Sequence, residues 1–138
     1  MPQKRMGQHG TFHITTNTQN KSPWCTLPGV PEILIDNLRT TRNLHDAEII
    51  AFCILPEHMH IVLLVGAKGL TAFMHSFKRS SSKDVRFFLE PTNEIASFTG
   101  WQRSFHDERV RNEQQLQAAM HYVLNNAMNH GLANTAEE

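Results

Sequence analysis

One tyrosine, two cysteines and no excess of charge of either sign are the scarcities of this chain, which runs to 138 residues. Each excludes something. Cys25 and Cys53 are isolated thiols without C-x-x-C spacing, the pattern expected of reduced cysteines in a cytoplasmic protein. No apolar run approaches the roughly 20 residues that span a bilayer, and the basic start MPQKRMGQHG has no apolar segment behind it. A membrane span and a secretory signal are therefore not expected. Thirteen basic residues cancel thirteen acidic ones, which argues against a protein that coats nucleic acid nonspecifically. Internal repeats and low-complexity linkers are also missing. Residues 1–138 are expected to form one domain, long enough to bury a core of its own.

What is present alternates between two periods. The stretch TFHITTNTQ (11–19) is rich in Thr and Ile and predicts a strand, and NKSPWCTLPG (20–29) is turn material. Val30, Ile33, Leu34 and Leu38 then follow helical spacing, with an end expected near Asp46. AEIIAFCIL (47–55) and HMHIVLLVG (58–66) predict a hairpin of two strands broken at Pro56-Glu57. Leu70, Phe73, Met74, Phe77, Val85, Phe88 and Leu89 predict a long amphipathic helix, with a break conceivable at Ser80, Ser81 and Ser82. EPTNEIASFTG reads as loop and WQRSFHDERV (101–110) as a short polar strand. Asn112 with Gln115 resembles a capping box, and Leu116, Ala119, Met120, Val123, Leu124 and Ala127 form the apolar stripe of a last helix ending at Gly131. The resulting order, β-α-β-β-α-β plus a helix, predicts an α+β protein of ferredoxin-like, split βαβ plan. Its antiparallel sheet would carry helices on one face, followed by a C-terminal helix that bears the tyrosine.

Within that frame two pairs of residues stand out. Side chains two apart on a strand share a face, so His58 and His60 project together while Met59, Ile61, Leu63 and Val65 line the opposite face. Unpaired imidazoles are costly to bury, so the polar, open face of the sheet is the expected place for them. They are either the wet side of a half-exposed strand or a pair of metal ligands on a rigid support. Tyr122 and Asn126 lie one helical turn apart on the flank of the apolar stripe, where a structural tyrosine with a wet hydroxyl is equally at home. Five basic residues, Lys68, Lys78, Arg79, Lys83 and Arg86, stand against Asp84 alone in residues 68–86. That helix is either a phosphate-binding face or an ordinary solvated one.

The segments PEHMH, GWQRSFHDERVR and YVLNNAMNHGL, in this order and spacing, resemble the single-tyrosine HUH transposases. Among the insertion-sequence transposases they are most similar to the REP-associated tyrosine transposases. The resemblance runs roughly from Thr11 to Leu132. It implies that His58, Met59 and His60 are the His-hydrophobic-His motif, whose imidazoles hold a divalent cation on a central strand. It implies further that Tyr122 is the nucleophile and Asn126 an additional metal ligand; Ala127 stands where the family often has proline. Mg²⁺ or Mn²⁺ is the implied cofactor. Single-stranded or hairpin DNA is the implied partner, cut and rejoined through a 5′-phosphotyrosine with release of a 3′-hydroxyl. Lys78, Arg79, Lys83 and Arg86 then become candidates for phosphate contacts. Trp101 becomes a candidate for base stacking, unless it packs in the core. A monomer or a homodimer is compatible, with Tyr122 serving its own chain or its partner's, and in a bacterium the protein would be associated with the nucleoid.

Two other functions use the same residues. A small metal-dependent hydrolase would recruit His13, His75 or Glu57 as a third ligand and activate water. A domesticated hairpin-binding protein would recognise DNA without cutting it.

Overall fold

Alternation along the central strands divides the molecule into two faces. The computed structural model describes residues 9–130 and 132–135. Its strands are β1 (Gly10–Asn17), β2 (Glu48–Leu55), β3 (His58–Val65), β4 (His106–Val110) and β5 (Leu132–Thr135), and its helices are α1 (Val30–Leu44), α2 (Leu70–Leu89) and α3 (Glu113–His130). The sheet order is β4-β1-β3-β2-β5, and every pairing is antiparallel. The first four strands with α1 and α2 are the expected split βαβ plan.

Phe12, Ile14, Phe52, Ile54, Met59, Ile61, Leu63 and Val65 point to one face, where Leu34, Leu38, Phe73, Met74, Phe77 and Val85 of α1 and α2 cover them. Burying these side chains supplies the main driving force, each worth about 1.5–3 kcal/mol. Ala51, Cys53, Leu55 and Val62 point the other way, against Ala119 and Val123 of α3. The histidine face is therefore not open, as the pattern of polar residues suggested, because α3 lies over it. Cys25 belongs to the first cluster and Cys53 to the second; both are free, and the sheet stands between them. No described helix is long and apolar enough to cross a membrane.

Several elements differ from the expectation for identifiable reasons. Helix α1 stops at Leu44, two residues before Asp46, which has a φ of 51°. Helix α2 runs through its three serines without a break. Ser80 Oγ donates to Asn37 Oδ1 (2.5 Å) on α1, and buried Ser81 accepts from Trp101 Nε1 (3.0 Å). Both hydroxyls bond to other elements, and Ser81 Oγ in addition donates to Lys78 O (3.5 Å) of its own helix. The strand expected over 101–110 begins only at His106. Trp101 instead makes one isolated bridge with Thr18 and stands edge-on to Trp24 at 4.8 Å. Residues 93–97 form a short 3₁₀ turn inside the expected loop. Gly131 lies outside the described residues, and the chain beyond it adds β5 against β2.

Candidate active site

Antiparallel register assembles the site. Thr15 is paired with both His60 and His106, and His13 with Val62 and Glu108. Directly opposed residues share a face, so His13, Thr15, His58, His60, His106 and Glu108 gather on the side of the sheet that α3 crosses. The link Arg111-Asn112 turns the chain from β4 into α3. There Gln115 N donates to Asn112 Oδ1 (2.8 Å), and Gln115 Oε1 accepts from Arg111 N (2.7 Å), one residue earlier than in a strict capping box. With the helix start held, the stripe of Ala119 and Val123 seats α3 on β2 and β3 and brings Tyr122 over the imidazoles.

The ring centroid of Tyr122 lies 5.1 Å from that of His60, edge-on at 87°, and 5.6 Å from that of His13. The His58 and His60 centroids are 4.9 Å apart. His60 is 4% exposed, whereas Tyr122 is 52% exposed. The tyrosine thus reaches from solvent onto a buried imidazole. A cavity of about 560 Å³ opens beside them, lined among others by His13, Glu108, Gln115 and Tyr122.

His60 Nδ1 lies 3.2 Å from both His13 Nε2 and Thr15 Oγ1, while its Nε2 is buried and makes no hydrogen bond. Burial, followed by the neighbouring His58 and His13, pushes the His60 pKa down to about 4. Burial lowers His58 as well, opposed by Glu57. His13 is lowered by burial and by His106, against the pull of Glu108. All three rings are therefore in the neutral form that offers a lone pair to a metal. Among the described residues no three His, Cys, Asp or Glu side chains converge as a ligand set. Any site here has two imidazoles and must complete itself with other donors.

His58, His60 and Tyr122 are brought together, with Asn126 one turn beyond Tyr122 on α3, whereas Trp101 and the basic residues of α2 are placed elsewhere. Asn126 does not line the cavity, and its Nδ2 donates to Tyr122 O (2.9 Å) one turn back on α3. Trp101, 8% exposed and hydrogen-bonded through Nε1, is core and is closed to a stacking base. The basic residues of α2 are on the far side of the sheet from Tyr122. Lys78 Nζ donates to Arg103 O (2.8 Å) and Ser104 O (3.3 Å), Arg86 lies 5.1 Å over the Phe98 ring, and Arg79 and Lys83 are exposed. Lys78 and Arg86 thus have partners within the protein. Conversely, Thr15, His106 and Glu108 attracted no attention in the sequence, and His13 only as a third hydrolase ligand. The polar alternation of His13, Thr15 and Asn17 was visible, but the register that sets Thr15 opposite His60 was not.

Comparison with known proteins identifies the family and the fold. The family model described as "Transposase IS200 like" matches residues 8–126, most of the chain, and the protein belongs to that family. A Haemophilus influenzae protein described as a REP-associated tyrosine transposase is 25% identical over 97 residues, covering 66% of this chain and 55% of that one. This chain thus spans little more than half of that relative. The solved structure of a REP-associated tyrosine transposase bound to a REP hairpin shares the fold, with a TM-score of 0.71 at 21% identity over 94% of this chain and 74% of the other. A transposase structure from Deinococcus radiodurans has a TM-score of 0.62 at 18% identity, covering 91% of this chain and 97% of the other.

Proposed function

We propose that this protein is a metal-dependent DNA strand transferase acting on single-stranded DNA near hairpins, with Tyr122 as its nucleophile. The observation that carries this reading is the half-exposed Tyr122 ring set edge-on, at 5.1 Å, against buried His60. The family and the hairpin bound by a protein of the same fold support DNA as the partner.

The residues fit a divalent cation. His60 Nε2 is a buried, unpartnered nitrogen of a ring that burial keeps neutral, and His58 stands beside it. Asn126 donates through Nδ2, so Oδ1 is the atom it would offer. Two imidazoles and an amide oxygen suit Mg²⁺ or Mn²⁺, which leave positions for phosphate oxygen and water. When bound, the cation would stabilise the charge that a phosphodiester gains under attack.

Tyr122 supplies the bond-making oxygen. Its Oη bonds to phosphorus as the link from phosphorus to the 3′-oxygen breaks, and the phenolic proton ends on that leaving oxygen. The products are a 5′-phosphotyrosine and a free 3′-hydroxyl. The reverse exchange with another 3′-hydroxyl rejoins DNA without ATP.

Labelled single-stranded hairpin DNA incubated with Mn²⁺ should give a protein–DNA adduct that survives denaturation. EDTA or Tyr122→Phe should abolish it. Cut DNA without an adduct would indicate a hydrolase, and a shifted native band without cutting would indicate a hairpin-binding protein. Either result overturns the proposal.

A further inference from the structure

Behind His60 stands a second row of polar groups that the proposed reaction does not use. His13 and Thr15 on β1 both approach His60 Nδ1 at 3.2 Å, and Glu108 on β4 is the cross-strand neighbour of His13. A neutral imidazole has one N–H and one lone pair, and the neighbours decide which nitrogen carries which. If the His60 proton were on Nε2, it would be a buried donor without an acceptor, an arrangement that proteins rarely tolerate. If it is on Nδ1, two acceptors are within reach, and Nε2 presents a lone pair to the space beside His58 and Tyr122.

Resting on the reading of His60 as a metal ligand, we propose that His13 and Thr15 are positioning residues that hold the His60 ring as its Nδ1–H tautomer and so aim the Nε2 lone pair at the cation. The three residues have a division of labour. Thr15 can donate or accept, so alone it leaves the tautomer open. Between His13 Nε2 and His60 Nδ1 one nitrogen carries the proton, and the buried His60 Nε2 without an acceptor assigns that proton to His60 Nδ1 and the accepting role to His13. The negative charge of Glu108 favours the His13 proton on the nitrogen that does not face His60. Glu108, His13 and His60 then form a carboxylate–imidazole–imidazole series across β4, β1 and β3. Supporting groups of this kind orient metal-binding histidines, and their loss commonly weakens metal affinity 10–100-fold.

The test has a metal-free arm and a metal-binding arm. Nitrogen-15 spectra of the histidine rings in metal-free protein should show His60 protonated on Nδ1. His13→Phe combined with Thr15→Val keeps both shapes and removes both acceptors. In that variant the His60 proton should move at least partly to Nε2, and Mn²⁺ affinity should fall 10–100-fold. His13→Gln, whose amide oxygen can accept, should retain the parent tautomer and most of the affinity. The amide spectrum of each variant reports whether it is folded, and His13→Gln keeps the question decidable if the double variant is not. Parent protein with the proton on Nε2, or a folded double variant with parental tautomer and affinity, would overturn the inference. If the parent fails to bind Mn²⁺ while His60 is the Nδ1–H tautomer, the metal-ligand reading falls and only the tautomer assignment stands.

Discussion

His60 is uncharged at neutral pH because the folded chain buries it beside His58 and His13, which hold its pKa at about 4. In the unfolded chain a histidine titrates near 6.5. Above about pH 6.5 both states are neutral, and the group's favourable contribution to stability is fully present. As pH falls from there towards 4, the unfolded chain gains a proton that the native site refuses, so stability is lost. His13 and His58, also lowered by burial, act in the same direction. In EDTA, the urea midpoint should therefore fall across this window, and His60→Gln should flatten the fall. A slope untouched by that substitution would assign the effect to other groups. Tyr122 makes a different demand. It is half exposed, so Tyr122→Phe should change stability by no more than about 0.5 kcal/mol in urea unfolding while removing the nucleophile. A larger loss would mean that the hydroxyl holds the fold.

Helix α2 illustrates how an element can contradict its local composition and still be stable. Ser81 is buried in its middle and accepts from Trp101 Nε1. Ser81→Ala should therefore cost about 1–3 kcal/mol in urea unfolding, the penalty for a buried N–H left without an acceptor. A cost near zero would mean that the indole finds another partner. The hairpin of β2 and β3, the amphipathic α2 and the stripe of α3 were legible in the sequence because each buries a periodic face. The serines of α2 were read as weakness because their acceptor and donor, Asn37 and Trp101, are distant in the chain. Trp101 was included in the 101–110 strand, and its place in the core left open, for the same reason, since an aromatic beside polar residues gives no sign of the pocket formed by Trp24 and Ser81. The short β5, LANT, has no strand pattern and is a strand only because the edge of β2 offers it unpaired backbone groups.

On the scale of the whole molecule, the sheet separates a structural side from a chemical one. Helices α1 and α2 build the larger core, and α2 carries Lys78, Arg79, Lys83 and Arg86, while α3 brings Tyr122 to histidines from β1 and β3 of the same chain. His58, His60 and Tyr122 could be picked out from spacing and resemblance. That one chain unites them could not, because it depends on the short link between β4 and α3. A mixture of inactive His60→Ala and inactive Tyr122→Phe protein should accordingly form no adduct. Restored activity would mean that the tyrosine serves a second chain. The most direct test of the central claim is the mass spectrum of the peptide that retains DNA after the parent adduct is digested. The account predicts a nucleotide joined through its 5′-phosphate to the peptide containing Tyr122, the only tyrosine in the chain. A nucleotide attached to serine or histidine, or cleavage with none attached at all, would contradict it.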